Sequence, residues 1–152
     1  MALKSIIYKA GLQVSDMDRD YYAEHTLTVA RHPSETDERT MLRVLAFALN
    51  AHEHLAFARG LSDTDEPDLW QKDLTGAIEH WIEVGQPDEK HLLRACGRAG
   101  RVTVYAYAGS ADSWWKPLAA KLARAKNLAV WRIPAVSSQA LAALAARNMQ
   151  LQ

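Results

Sequence analysis

Two acidic side chains, Asp68 and Glu83, stand fifteen positions apart in the stretch "EPDLWQKDLTGAIEHWIEVGQPDEK", residues 66–90. Asp68 follows Pro67 at the start of one strand-like run, and Glu83 comes near the end of the next. Two carboxylates so placed could share a magnesium or manganese ion, which takes hard oxygen ligands and keeps several waters of its own. Such an ion polarises a phosphoryl oxygen and helps generate hydroxide from a bound water, which is the chemistry of phosphodiester hydrolysis. A lysine two positions beyond the second acid would steady the phosphate charge, but that position is Gly85. Gln86 could orient a water through its amide, although it cannot act as a base. Lys90 and Arg94, one helical turn apart, could bring positive charge from the segment that follows.

The elements that must hold these groups can be read from periodicity. "DLWQKD" (68–73) and "IEHWIEV" (78–84) alternate as strands and are joined by the short loop "LTGA", so a hairpin is expected. On the second strand Glu79, Trp81, Glu83 and position 85 share one face. Ahead of them "PSETDERTMLRVLAFALNA" reads as a helix, with Ser34 as N-cap, Asp37 three residues on and an acidic first turn. Its apolar stripe Leu42, Leu45, Leu49 extends backward to Glu38 and then Glu35, so either acid could head the stripe and complete a cluster of three carboxylates. A first-turn acid also has a cheaper explanation in the helix dipole.

The rest of the chain supplies strands at 5–14, 25–32, 54–60, 101–109 and 128–134. It also supplies helices at 87–99, at 114–126 and from about 137. The polar segment "SDMDRDYYAE" reads as helix or turn. The order β-β-α-β-β-β-α-β-α-β-α predicts an α/β (α+β) fold with a central mixed β-sheet flanked by helices and an N-terminal hairpin-type extension.

Composition narrows the class. The chain has 152 residues, 49% of them apolar, with eighteen basic and eighteen acidic side chains that cancel. That suits one globular domain over residues 1–152, and it lacks the basic excess common among nucleic-acid-binding proteins. Any phosphate binding would need a local basic cluster or a metal. Cys96 is the only cysteine, so no disulfide framework forms within the chain, and a reducing cytoplasm is the expected address. No apolar run is long enough to span a bilayer, so no membrane partner is expected.

Residues 34–109, read as αβββαβ with these acids, resemble the core of the PD-(D/E)XK (restriction-endonuclease-like) superfamily. The wider chain resembles one bacterial branch of it, the YaeQ family, through "MALKSIIYKA", "LTVARHPSETDERTMLRVLAFAL", "EPDLW", "WIEVGQPDE" and "ACGRA". The resemblance implies a nuclease-like fold and a bacterial origin. It implies Glu38 as the helix acid, with Asp68 and Glu83 as ligands to Mg or Mn, while the lysine does not carry over. The terminal "MQLQ" resembles a point where relatives continue, so further C-terminal residues are expected.

Two functions follow. One is a metal-dependent phosphodiesterase acting on DNA or RNA, with Gln86 and Lys90 replacing the lysine. The other is a non-cleaving protein of the same fold that binds nucleic acid, through Lys90, Arg94, Arg98 and Arg101, or binds a protein partner. Other signals point to structure. His52 and His54 lack further zinc ligands at motif spacing, and "DMDRD" lacks the glycine and closing glutamate of a calcium loop. Cys96 reads as packing, and Trp114 and Trp115 as helix anchors.

Overall fold

The computed structural model describes residues 4–152; the first three residues of the "MALKSIIYKA" match lie outside it. Strands β1 (Ile6–Asp16) and β2 (Tyr21–Arg31) pair antiparallel over their whole length. The polar segment between and around them is mostly strand. Its turn is fixed by Asp16, whose Oδ1 accepts from the backbone N–H groups of Asp18 and Arg19, and by Asp20 at φ 52°. Of the two alternatives read for this segment, helix or turn, residues 17–20 take the turn, an Asx turn set by Asp16.

Helix α1 (Asp37–Leu49) begins two residues later than expected. Ser34 does not cap it; its hydroxyl bonds His32 Nδ1 at 2.7 Å. Thr36 is the N-cap, its Oγ1 accepting from Arg39 N at 3.1 Å, a contact worth about 1 kcal/mol. The buried face is broader than that stripe. Leu42 is buried as expected and Leu45 packs against the core, Thr40, Met41, Val44 and Phe47 are buried beside them, and Leu49 is 48% exposed.

Strands β3 (Leu55–Phe57), β4 (Leu69–Lys72) and β5 (Ile78–Val84) run antiparallel in turn. The β4–β5 hairpin turns through Gly76 at φ 89°. Helix α2 (Glu89–Arg98) starts at its N-cap Asp88, whose carboxylate accepts from His91 N at 2.8 Å, so Pro87 lies before the helix and not inside it. Then follow β6 (Ala99–Ala106), α3 (Ala111–Lys121), β7 (Leu128–Arg132) and α4 (Ala135–Ala142). The chain closes with β8 (Asn148–Leu151), where the sequence predicted continuing helix.

Two sheets result where one central sheet was expected. The five-stranded sheet has the order β3-β4-β5-β6-β7 and is mixed, because β5–β6 and β6–β7 are parallel. The N-terminal hairpin joins β8 in a separate sheet of order β2-β1-β8. Helix α1 packs between the two sheets. A single apolar cluster there unites Ala10, Leu12 and Val29 with Met41, Val44 and Phe47, and with Leu69, Ile82 and Val84. The other face of the larger sheet carries α2 and α3 through Leu92, Val104, Leu118 and Leu122. Among the described residues no helix is long and apolar enough to cross a membrane.

Candidate functional site

The β4–β5 register pairs Leu69 with Ile82, so one step further it sets Asp68 across from Glu83. Both acids are buried, at 4% and 7% exposure. They line a cleft of about 390 Å³ at the C-terminal edge of the parallel strands β5 and β6, beside the entry to α2. Crevices at this edge of a sheet are common binding sites, because the loops that leave the strands form their walls.

Asp68 is fully engaged. Its Oδ2 accepts from the Val84 backbone N–H at 2.8 Å and its Oδ1 from Arg39 Nη2 at 2.8 Å. The same Nη2 donates to the Val84 carbonyl at 3.1 Å, while Nη1 reaches Glu35 at 2.6 Å. Glu35 in turn accepts from the Arg43 guanidinium through both carboxylate oxygens, at 2.6 and 2.9 Å, and from Thr40 Oγ1 at 2.9 Å. Burial alone would push the Glu35 carboxyl up, but Arg43 and Arg39 more than offset it and hold it below the usual carboxylate range. Burial likewise opposes charge on Arg39, and Asp68 and Glu35 outweigh it and raise its pKa. Gly60 makes room for this arrangement: a Cβ there would stand 2.5 Å from Asp68 Oδ1.

Glu83 is held differently. Its Oε1 is bonded to His91 Nε2, which α2 delivers from its first turn. Burial is the main cause that raises the Glu83 carboxyl, His91 works against it, and the nearby Asp68 charge adds to the rise. The Trp81 indole N–H points close enough to Glu83 to oppose that rise, yet among the described residues it makes no hydrogen bond of normal geometry although its ring is buried.

The expected helpers are placed elsewhere. Glu38 faces α4, where its Oε1 accepts from Ser138 Oγ at 3.1 Å, so Glu35, just before the helix, is the acid linked to Asp68, through Arg39. Gln86 lines the cleft, but its amide donates to Tyr107 O at 2.7 Å and accepts from Ser110 Oγ at 3.1 Å. Lys90 is exposed on α2 and does not line the cleft. Gly85, at φ 118°, has open space where a Cβ would be, so no side chain takes the lysine's place from that position. The anticipated basic face is broken up. Arg94 pairs with Asp65, Arg98 lies over the Trp81 ring, and Arg101 contacts His80 on another element.

Arg39 and His91 were missed by the sequence reading. The spacing of Glu35, Arg39 and Arg43 at successive fourth positions carried a signal for an ion-pair ladder. Nothing in the sequence announces His91, because it reaches Glu83 only through the turn into α2. A divalent cation at this edge would draw on Asp68, Glu83 and the Val84 carbonyl, all oxygens. As the side chains stand, Asp68 and the Val84 carbonyl are already held by protein donors, and one oxygen of Glu83 is taken by His91. Among the described residues no group of three or more His, Cys, Asp or Glu side chains is disposed to hold a metal.

Fold and site together define a mixed α+β protein with a buried acid pair at one sheet edge, Asp68 matched by Arg39 and Glu83 held by His91. The profile of the family described as YaeQ protein matches residues 1–152, and the chain belongs to that family. It is 45% identical over 153 residues to the uncharacterised protein YaeQ of Salmonella typhi, covering 100% of this chain and 84% of that one. The Escherichia coli K12 relative is 43% identical with the same coverage. The crystal structure of the YaeQ protein from Xanthomonas axonopodis pv. citri matches with a TM-score of 0.92 at 50% identity, over 96% of this chain and 83% of that one. The YaeQ protein from Pseudomonas syringae matches with a TM-score of 0.89 at 40% identity, over 96% and 81%.

Proposed function

We propose that this is a nuclease-fold protein that binds a protein partner at the cleft without cleaving a phosphodiester. The observation that carries this reading is the lining of the cleft. Asp63, Glu66, Asp68, Glu83 and Asp88 share the lining with two basic side chains, Arg39 and His91, both already bonded to the buried acids, while Arg59, outside the lining, is paired with Asp63 and Glu66. A phosphate backbone entering there would meet carboxylates with no unpaired cation among the lining residues. A basic peptide segment would find complementary charge. The bare Gly85, the tied amide of Gln86 and the outward Lys90 support a lapse of hydrolysis.

A second reading is favoured by one feature, the placement of Asp68 and Glu83 across from each other in the same cleft. There they would hold Mg or Mn, which supplies Lewis acidity and a bound water for phosphodiester hydrolysis of DNA or RNA. That reading requires Arg39 to leave Asp68.

The two are separated by incubating the protein with labelled single- and double-stranded DNA and RNA, with magnesium or manganese, while varying salt. The binding reading expects no cleavage and no strongly salt-dependent nucleic-acid affinity, since salt dependence follows the phosphates neutralised. Cleavage by wild type that disappears in Glu83→Gln would overturn it in favour of the phosphodiesterase.

A further inference from the structure

We infer that Arg39 occupies the seat of a divalent cation, so that the protein carries its own permanent positive charge there and excludes the ion. Arg39 in that seat deepens the reading above and rests on it for the kinship of the cleft with metal-binding ones. The geometry is specific. Arg39 Nη2 touches one carboxylate oxygen of Asp68 and the backbone carbonyl of Val84, at 2.8 and 3.1 Å. Those are hard oxygens of two neighbouring strands, converging on one point beside Glu83. A magnesium or manganese ion at that point would take the same two atoms.

Arginine suits the task better than lysine. Its planar fork satisfies Glu35 with one terminal nitrogen while the other serves Asp68 and Val84, and it stays charged when buried. Arg43 anchors Glu35 from the far side, so the fork is held at both ends. Glu35 and Asp68 against Arg39 and Arg43 make the cluster neutral, two charges against two. An incoming cation would therefore have to expel a guanidinium that is 14% exposed and bonded on both sides. Removing Arg39 should leave the opposite: a buried carboxylate, a free carbonyl and the unbonded oxygen of Glu83 around a vacated position.

The test uses manganese alone as the probe, with bound ion counted by its electron paramagnetic resonance signal on wild type, Arg39→Gln and Arg39→Gln/Asp68→Asn. Wild type is expected to take up no manganese at the cleft. R39Q is expected to bind it tighter than wild type by about tenfold or more, because a repelling unit charge is gone, and the double variant should lose the gain. R39Q could unfold with Asp68 left unpaired, so Arg39→Lys is the second variant. Its single ammonium cannot span Glu35, Asp68 and Val84 together, and a severalfold gain in manganese affinity is expected. Stoichiometric manganese binding by wild type that is lost in Asp68→Asn would overturn the inference, as would folded variants with no gain. Binding and cleavage are scored separately. Wild type that binds manganese yet cuts nothing sinks the Arg39 assignment alone, whereas wild type that cuts without binding it sinks only the non-cleaving reading.

Discussion

Two buried acid–base assemblies meet at this sheet edge and are built on opposite terms. In the first, Glu35 and Asp68 are matched by Arg39 and Arg43 through multiple direct hydrogen bonds, and the Glu35 carboxyl is driven below its ordinary range. In the second, Glu83 is bonded to His91, and its carboxyl is raised because burial outweighs that bond. Among the described residues the Trp81 N–H beside it has no hydrogen-bond partner of normal geometry. The first assembly ties helix α1 to both sheets, since Arg43 also donates to Ala30 of β2 and Arg39 to Val84 of β5. The second ties little beyond α2 to β5. A fold gains from the first kind of arrangement. A group left desolvated and only partly compensated is the kind found at functional sites. The comparison therefore assigns a structural role to Glu35 and leaves Glu83 as the group on which the proposed binding reading rests.

The largest effect expected from that division is at Glu35. Glu35→Ala strands the Arg43 guanidinium, which is 6% exposed, without its carboxylate, and loosens Arg39. Breaking a buried pair by removing one partner costs about 3–5 kcal/mol. Chemical denaturation should show a loss of that order; a loss below about 1 kcal/mol would mean that the ladder is not what joins α1 to the sheets.

How much of this was legible in the sequence depended on how local each cause was. The β4–β5 hairpin, the strands β6 and β7 and the acid pair itself could be read, because alternation and a short glycine-bearing loop are local signals. The split into two sheets could not. It depends on β8, four residues that pair with β1 from the opposite end of the chain, so no neighbouring strand or turn marks them. The choice between Glu35 and Glu38 could not be made from the sequence for a related reason. Helix α1 begins at Asp37, so Glu35 lies before its N-cap and is placed by the incoming chain and its two arginines, while Glu38, on the helix, turns toward α4. Arg39 was readable as a helix-ladder residue, but its reach to Asp68 is a tertiary fact.

A middle-sized effect can sharpen the contrast by clearing the acid side of the stability profile. His80 is buried on β5, with Nε2 against Thr103 Oγ1 at 2.7 Å and Nδ1 facing Arg101 at 3.2 Å. Burial first and the Arg101 charge second lower its pKa from 6.5 to about 4. Between those values the unfolded chain binds the proton and the folded one does not. Its contribution is therefore complete above pH 6.5 and declines as pH falls toward about 4. The loss reaches up to about 3 kcal/mol. In His80→Gln that part of the profile should flatten. The Glu35 assembly then dominates what remains, losing its stabilisation as pH falls below the ordinary carboxyl value of 4.5.

The smallest expected change is the most telling one. Because the Glu83 carboxyl is raised, the folded state holds its proton more tightly than the unfolded chain above pH 4.5. Its burial cost is absent below that value and grows as pH rises through the folded-state pKa, the reverse of Glu35. Glu83→Gln removes the charge and keeps an oxygen for His91. At neutral pH the variant should be as stable as wild type or more so, by less than about 1 kcal/mol, and its stability should no longer decline over that pH range. A melting series in wild type and variant between pH 4 and 8 reads both quantities. A loss of more than about 2 kcal/mol at neutral pH would place Glu83 and His91 with the structural ladder. A neutral or stabilising substitution would instead mark Glu83 as a group kept against stability, which is the sign of a side chain retained for what it binds.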